Sequence, residues 1–385
     1  MYGMRTSTDN PQPRRIPVKR LAAAGILLAA SAIAMLVFSQ LGDALFPAYR
    51  VFSRTVMGAL ATATSFVPVS VWDFSAAALL VAAVFTGLRC LGLNRGLLSW
   101  FATVLVVASA LIAFLVGAWG LNHYAPPLSQ SVGLDVREYT DDELADATAY
   151  YAAKAAEYAA QVPRDDNYQL AEQDFRELAC IAGAAYEPLG ERYEVFANGS
   201  TAPVKQLLLG GNALLYLGSV GIFMPFTGES SVPAGTACAD KPFTMCHEAA
   251  HRLGIASEEE ANYAAYLACE ASDDARLRYS GYYNAFVYCY NALAEASPER
   301  ANALAAQMAG LAESELNTFG CVLVLLDAGA VSLTYEAYEG PAQDLGTSAN
   351  NAYLEAFGED AGVQSYGLVV DYLIAHELEL ASAQS

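Results

Sequence analysis

Residues 242 to 262 read PFTMCHEAAHRLGIASEEEAN, and this stretch decides how the large carboxyl-terminal part of the chain is expected to fold. His247, Glu248 and His251 form the pattern HExxH in a chain that contains four histidines. Two residues four positions apart on a helix lie one turn apart on the same face. The spacing therefore predicts a helix whose two imidazoles bind one metal ion, and paired imidazoles at this spacing favour zinc.

Glu248 directly follows the first histidine and can reach a water molecule held by such a metal. Zinc lowers the pKa of bound water to about 7, and a nearby carboxylate can take the proton as the water attacks a carbonyl carbon. Glu248 is therefore the predicted catalytic base. The alternative interpretation is that both histidines are polar residues on the exposed side of an ordinary helix.

A third ligand is expected on the next helix. Gly254 ends the first helix, and Ser257 with Glu260 is predicted to form a capping box that opens the second, with Glu259 facing solvent. Glu258 then begins that helix and returns toward the metal, so it is the preferred third ligand, with Glu260 as the alternative. Asn262 lies one turn after Glu258 and is expected to steady a ligand from behind.

Weaker signals surround this motif. Residues 219 to 226 form either an edge strand that pairs with an extended peptide or a plain core strand. Cys246 is expected to be structural, although Cys246 or Glu260 as a fourth ligand would close the site and favour a non-catalytic protein. His376 is expected to lie on a helix face. Three tyrosines are candidate donors to the oxyanion of a transition state, with packing as the alternative role: Tyr279, Tyr282 and Tyr283.

The amino-terminal third has the composition of a membrane domain. Residues 1 to 124 hold nine basic and three acidic side chains, whereas the remainder holds 11 and 38. Three apolar runs are long enough to cross a bilayer, at about 21–41, 70–90 and 97–121. Five basic residues in the tail 1–20 place the amino terminus in the cytoplasm by the positive-inside rule, which puts residues 122–385 outside a multi-pass cell-membrane protein. An additional span at 55–69 would reverse this topology.

The outer domain is predicted to be mainly α, with a small β-sheet formed around residues 207 to 226. Its strong negative charge disfavours nucleic acid as a partner. Six of the seven cysteines follow the last span, and an even number outside the cell fits disulfides, whereas a cytoplasmic domain would bury them as small apolar residues. Helices are expected at about 140–161, 168–185, 243–253, 258–271, 282–296, 298–312 and 367–380.

HExxH followed by a helix with the form E-x-x-A-N resembles the gluzincin zinc metallopeptidases, and the chain as a whole resembles a bacterial membrane family known as domain of unknown function 3810. The stretches that carry the second resemblance are 221–229 (GIFMPFTGE), 242–254 (PFTMCHEAAHRLG), 258–262 (EEEAN), 267–269 (LAC), 278–281 (RYSG) and 365–371 (SYGLVVD). The resemblance implies a membrane-anchored, zinc-dependent peptidase fold, with His247, His251 and Glu258 as ligands and Glu248 as base.

The sequence therefore predicts three transmembrane helices followed by a helical zincin-like domain. This domain is expected to hold one Zn²⁺ per chain and to hydrolyse peptide bonds in a peptide or protein substrate, with the lipid membrane as the other partner. The alternative is a non-catalytic, zinc-stabilised membrane receptor or scaffold.

Overall fold

The computed structural model describes residues 17–92, 96–357 and 366–384. The chain is mainly helical with one three-stranded sheet, which confirms the predicted balance of secondary structure. The first three helices are α1 (Val18–Thr64), α2 (Val71–Gly92) and α3 (Leu97–Ala118). The others are α4 (Leu128–Val132), α5 (Asp141–Ala159), α6 (Phe175–Ala184), α7 (Glu187–Arg192), α8 (Gly211–Tyr216), α9 (Lys241–Arg252), α10 (Glu258–Ala271), α11 (Ala275–Ala296), α12 (Pro298–Met308), α13 (Thr318–Glu336), α14 (Pro341–Ala356) and α15 (Tyr366–Gln384).

Four helices of the described residues, rather than the three that were predicted, are long and apolar enough to cross a membrane. They are α1, α2, α3 and α13. Helix α13 was not predicted, and its Asp327 is buried and forms an ion pair with Arg164 at 2.8 Å. The predicted cytoplasmic tail 1–20 falls largely on residues 1–16, which lie outside the described residues.

Helix α1 is much longer than the span predicted at 21–41. Its 47 residues extend about 70 Å, more than twice the hydrocarbon thickness of a bilayer. The backbone at Leu41 is not helical, and Pro47 follows within two turns. Helix α1 is therefore kinked in this region, which separates its apolar first half from a second half that ends at Thr64. The stretch 55–69, considered as an additional span, is thus mostly the end of α1.

The second half of α1 packs on the carboxyl-terminal domain. The guanidinium of Arg54 donates hydrogen bonds to the carbonyl oxygens of Val195, Ala197 and Leu253, the last of which directly follows α9. Met57 is fully buried in the same region. These contacts explain Arg54, a basic residue between the first two predicted spans, where the positive-inside rule disfavours it in an outer loop.

The sheet has the order β1-β3-β2, with β1 at Lys205–Leu207, β2 at Ile222–Met224 and β3 at Glu229–Pro233. Strands β2 and β3 form an antiparallel hairpin, whereas β1 runs parallel to β3. The predicted strand region 207–226 thus contains β2 and the end of β1, but Gly211–Tyr216 is a helix and β3 was missed. Strand β2 lies at an edge of the sheet, which agrees with the edge-strand alternative.

Buried side chains from α5, α9, α10, α11 and α15 form one continuous core. The predicted start of α5 is confirmed, because Thr140 and Glu143 form a reciprocal capping box. Tyr151 of α5 is buried and donates to the carbonyl of Leu373 in α15. All seven cysteines are free, so the expectation of disulfides is not met, and four of them are buried as small apolar residues.

Candidate metal centre

The HExxH residues lie on a buried helix, α9, as predicted. Pro242 occupies its first turn, where the missing N–H costs no hydrogen bond. Gly254 follows the helix with a φ of +90°, a conformation that glycine adopts without strain and that turns the chain toward α10. Helix α10 begins at Glu258, as the sequence predicted. The end of α9, which carries the motif, therefore lies close to the start of α10.

Each imidazole is held by its Nδ1 atom. Nδ1 of His251 lies 2.7 Å from the carbonyl oxygen of Ile255, which can only accept a hydrogen bond, so this nitrogen carries the proton. Nδ1 of His247 lies 2.8 Å from Oδ1 of Asn262 and donates to it in the same way. Asn262 therefore occupies the supporting position that was expected of it. Both Nε2 atoms are left with a lone pair available for a metal.

These two nitrogens and one carboxylate oxygen converge on one point. Nε2 of His247 lies 3.0 Å from Nε2 of His251 and 3.1 Å from Oε2 of Glu258, and the third edge of the triangle is 3.7 Å. Two ligands at 2.0 to 2.1 Å from a tetrahedral zinc ion lie about 3.3 Å apart. The triangle thus has the size that zinc requires, and its donors are those of known catalytic zinc sites.

Glu248 is positioned differently from the three clustered residues. It is 5% exposed, and its Oε2 atom is buried without a hydrogen-bond partner among the described residues. Burial, reinforced by the charge of Glu258, raises the pKa of Glu248 to about 7, although the two histidines act in the opposite direction. A buried carboxylate with an unused oxygen and a pKa near neutrality is suited to accept a proton from water.

The electrostatics of the cluster favour a positive charge between its members. Burial lowers the pKa of His251, but the hydrogen bond and the negative charge of Glu258 outweigh it and raise that pKa to about 9. Burial raises the pKa of Glu258, but the bonds to both histidines outweigh it and hold that pKa well below its usual value. Without a metal, His251 therefore holds a proton at neutral pH, and this positive charge lies beside the carboxylate of Glu258.

The predicted cap of α10 is wrong. Ser257 makes no capping bond, and its hydroxyl instead donates to Oε2 of Glu259, which is half-buried rather than facing solvent. Oε1 of Glu260 accepts hydrogen bonds from the backbone N–H of Leu128 and from the hydroxyl of Tyr372. The carboxylate of Glu260 thus binds the first N–H of α4 instead of taking part in a capping box at the start of α10. Glu260, the alternative ligand, is therefore directed to a different part of the domain.

The three tyrosines proposed as oxyanion donors make contacts elsewhere. The hydroxyl of Tyr279 donates to Asp327, and that of Tyr282 donates to Glu270 at 3.3 Å. Tyr283 is buried, and its pKa is raised by burial and by the charges of Asp240 and Asp327. Helix α11 turns these rings into the core against α5 and α13, so packing and internal hydrogen bonds account for them.

Two other expectations concern single residues near the motif. His376 lies on α15, where its Nδ1 is 3.1 Å from the hydroxyl of Tyr263 and its Nε2 is 3.2 Å from Glu270. Cys246 is fully buried beside Cys269, and burial raises the pKa of the Cys269 thiol. Both residues belong to the core of the domain, in agreement with the structural roles expected of them.

Two residues of the site were missed in the sequence. The indole N–H of Trp119, one residue after α3, donates to the carbonyl oxygen of His251 at 2.8 Å. Gly221 precedes β2, and a Cβ atom placed on it would lie 2.4 Å from Oε1 of Glu248. Trp119 was visible as an aromatic residue at the end of an apolar run, but no sequence signal connects it with His251. For Gly221 the sequence offered one indication, since it begins the GIFMPFTGE stretch that carries the family resemblance.

A family described as Protein of unknown function (DUF3810) matches residues 49–374. No curated protein matches the chain. No solved structure matches it either. The family match includes the second half of α1, the sheet, the clustered histidines and Glu258, and it spans well over half of the 385 residues. The chain therefore belongs to the DUF3810 family.

Proposed function

We propose that this protein is a membrane-anchored, zinc-dependent metallopeptidase in which His247, His251 and Glu258 hold the metal and Glu248 is the general base. One observation carries the proposal: three lone-pair atoms face one another at 3.0 to 3.7 Å. Both histidines direct their Nδ1 protons away from this point. Three acceptor atoms at such distances repel one another unless a cation or a proton lies between them.

The residues fit the chemistry of peptide hydrolysis. Zinc at such a site lowers the pKa of water to about 7 and polarises a carbonyl group. Glu248 takes a proton from the attacking water on Oε2, its unpartnered oxygen, and delivers it to the amide nitrogen as the C–N bond breaks. Asn262 and the carbonyl of Ile255 keep both imidazoles in the tautomer that leaves Nε2 unprotonated.

The rival, a zinc-stabilised receptor or scaffold, requires a closed site with four protein ligands. Among the described residues, the cluster that could hold a metal has three members. The two residues considered as a fourth ligand are engaged elsewhere, because Cys246 packs beside Cys269 and Glu260 binds Leu128 and Tyr372. Three protein ligands and a free coordination position favour catalysis over a structural role.

For the membrane domain we propose that α1, α2 and α3 cross the bilayer and that α13 does not. The ion pair between Asp327 of α13 and Arg164 is buried on the face of α13 that packs against the domain. Pulling α13 into lipid would separate these charges, which is costly in an apolar medium. Three spans, with basic residues concentrated before the first, support a carboxyl-terminal domain that lies outside the cell membrane.

The function is tested by comparing wild-type protein with the variant Glu248→Gln. The full chain, purified in detergent with equimolar zinc, is incubated with a mixed peptide library, and new amino termini are identified by mass spectrometry. We expect cleavage by the wild type and a loss of at least 10²-fold in Glu248→Gln, because the amide cannot accept the proton. Glu295→Gln is the matched control, since Glu295 is exposed on α11.

Equal cleavage by wild type and Glu248→Gln would refute Glu248 as the base. Zinc binding without cleavage of any peptide would favour the receptor or scaffold. Because the substitution keeps the size of the side chain and alters no metal ligand, zinc content is expected to be the same in all three proteins.

A further inference from the structure

We propose that the substrate is a polypeptide anchored in the same bilayer, which adds as a strand to the free edge of β2 and is cut within a few residues of the membrane surface. This inference rests on the proposed peptidase function and assigns a substrate class to it. The supporting observation is that the candidate spanning helices contact both strand β2 and the HExxH helix α9.

The carboxyl-terminal end of the proposed metal-binding helix, α9, directly contacts the end of a candidate span. Helix α3 is an uncharged run that ends at Ala118, and the next residue, Trp119, hydrogen-bonds the carbonyl of His251. The rings of Trp119 and His251 are perpendicular, with centroids 6.2 Å apart. Trp119 is buried against the domain and directly follows the last residue of α3, so His251 lies at about the level where α3 leaves the membrane.

The hairpin that contains β2 reaches the same level. The ring of Phe226, in the turn after β2, stacks on Trp72 at 5.4 Å and on Phe114 at 5.8 Å. Trp72 is in the first turn of α2, and Phe114 is in the last turns of α3. Gly228, in the same turn, approaches the backbone of Met57 in α1 so closely that a Cβ atom would lie 2.5 Å from its carbonyl oxygen. The turn therefore sits on the ends of all three helices.

The other end of β2 reaches the base. Gly221 immediately precedes the strand and packs against the carboxylate of Glu248, and Phe223 of the strand contacts Trp119, with ring centroids 5.5 Å apart. Strand β2 pairs with β3 on one side, and no further strand pairs with its other side among the described residues. An open edge of this kind is where an extended peptide adds by backbone hydrogen bonds.

These placements set a distance. Phe226 follows Gly221 by five positions, and an extended chain advances about 3.3 Å per residue, so the base lies at most about 17 Å from the helix ends. A strand paired with β2 would run between the membrane surface and Glu248 over the same length. The scissile bond of a membrane-anchored substrate is therefore expected within about five residues of the end of its own membrane segment.

The test uses reporters that are confined to the bilayer at different spacings. A sequence cleaved in the peptide library is fused to an Ala/Leu transmembrane helix through Gly/Ser spacers, so that the scissile bond lies 2, 5, 10 or 20 residues from the helix. Each reporter is reconstituted with the full chain into phosphatidylcholine vesicles, and the free peptide is assayed in parallel. We expect cleavage to be fastest at spacings of five residues or fewer and to fall at least tenfold at 20.

Confinement to the bilayer raises the local concentration of every anchored reporter, whatever its spacer. The dependence of the cleavage rate on spacer length is therefore the measurement that tests the inference. Equal rates at 5 and 20 residues, or a free peptide cleaved as fast as the best anchored reporter at matched bulk concentration, would overturn the inference while leaving the peptidase function intact. Failure to cleave any reporter or free peptide would instead count against the proposed function.

A second experiment tests the binding mode without measuring cleavage. A photo-crosslinking residue is placed next to the scissile bond of the five-residue reporter, and the reporter is irradiated with the Glu248→Gln chain. We expect crosslinks to Ile222 and Met224, the half-buried residues of β2. Crosslinks confined to surfaces distant from β2 would contradict the proposed binding mode.

Discussion

The contact between Gly221 and Glu248 gives a sharp test of the catalytic geometry. In Gly221→Ala the new Cβ atom would lie 2.4 Å from Oε1 of Glu248, 2.8 Å from its Cγ and 2.9 Å from its Cδ. Gly221 is not among the glycines with positive φ, so alanine is compatible with the backbone. The substitution therefore acts on the position of one carboxylate.

The size of the effect follows from these distances. An ordinary contact requires about 3.4 Å, so the carboxylate must move by about 1 Å. A displacement of this size at a reacting group costs on the order of 10²-fold in rate, or about 2.7 kcal/mol. None of the three proposed metal ligands is touched, so zinc content is expected to stay at the wild-type value. The overlap itself is expected to cost about 1 kcal/mol of stability, at the low end for overpacking, since the carboxylate is the flexible end of its side chain.

The assay measures kcat/KM on the best library peptide, together with zinc content and thermal unfolding of the same samples. Gly329→Ala is the matched control, because Gly329 lies in α13 and its Cβ position meets no atom within 4 Å. We expect the control to retain full activity. A folded, zinc-loaded Gly221→Ala protein that is as active as Gly329→Ala would refute the placement of Glu248 against β2.

Three further predictions address the support of the site and the core. Removing the hydrogen-bond acceptor of His247 Nδ1 in Asn262→Ala is expected to weaken zinc binding about 10- to 100-fold, which competition with a chromophoric chelator would measure; unchanged affinity would contradict the supporting role. Asp327→Ala leaves Arg164 as a buried, unpaired charge and is expected to cost about 3 to 5 kcal/mol, seen as a lower thermal midpoint in detergent. Because the pKa of His251 is raised to about 9 in the metal-free chain, a proton must leave before zinc binds. Zinc affinity should therefore rise with pH by up to tenfold per unit and level off above pH 9, and a flat profile from pH 6.5 to 8.5 would exclude this.

The same raised pKa has a consequence for stability. A folded-state pKa above the ordinary value of 6.5 means that the folded chain holds the proton more tightly than the unfolded chain. The contribution of His251 to the stability of the metal-free protein is therefore complete below pH 6.5 and is lost as the pH rises through about 9. Zinc supplies the positive charge in place of the proton and is expected to restore stability at the alkaline end.

Local patterns predicted the parts of the fold that depend on local interactions. The cap at Thr140, the start of α10 at Glu258 and the three amino-terminal apolar helices all follow from residues that are close in sequence. The relation between His247, His251 and Glu258 was also predictable, because helix geometry and one glycine turn fix their positions. These elements needed no information about distant parts of the chain.

Tertiary contacts decided the features that were missed. Glu260 had the spacing of a capping residue, but the N–H of Leu128, 132 positions earlier, binds its carboxylate instead. Arg54 looked misplaced for an outer loop, and the carbonyls that it satisfies lie more than 140 residues away. Trp119 is 132 residues from His251. Such partners cannot be inferred from spacing, since nothing in the local pattern specifies them.

The central claim is that three side chains form an open zinc site, and the most direct test is the zinc content of the purified full chain, measured by elemental mass spectrometry. The account predicts one zinc per chain in the wild type, the same content in Glu248→Gln, and a strongly reduced content in Glu258→Ala and His251→Ala. A wild-type chain that holds no zinc after preparation with the metal present, or a Glu258→Ala chain that binds zinc as tightly as the wild type, would contradict it.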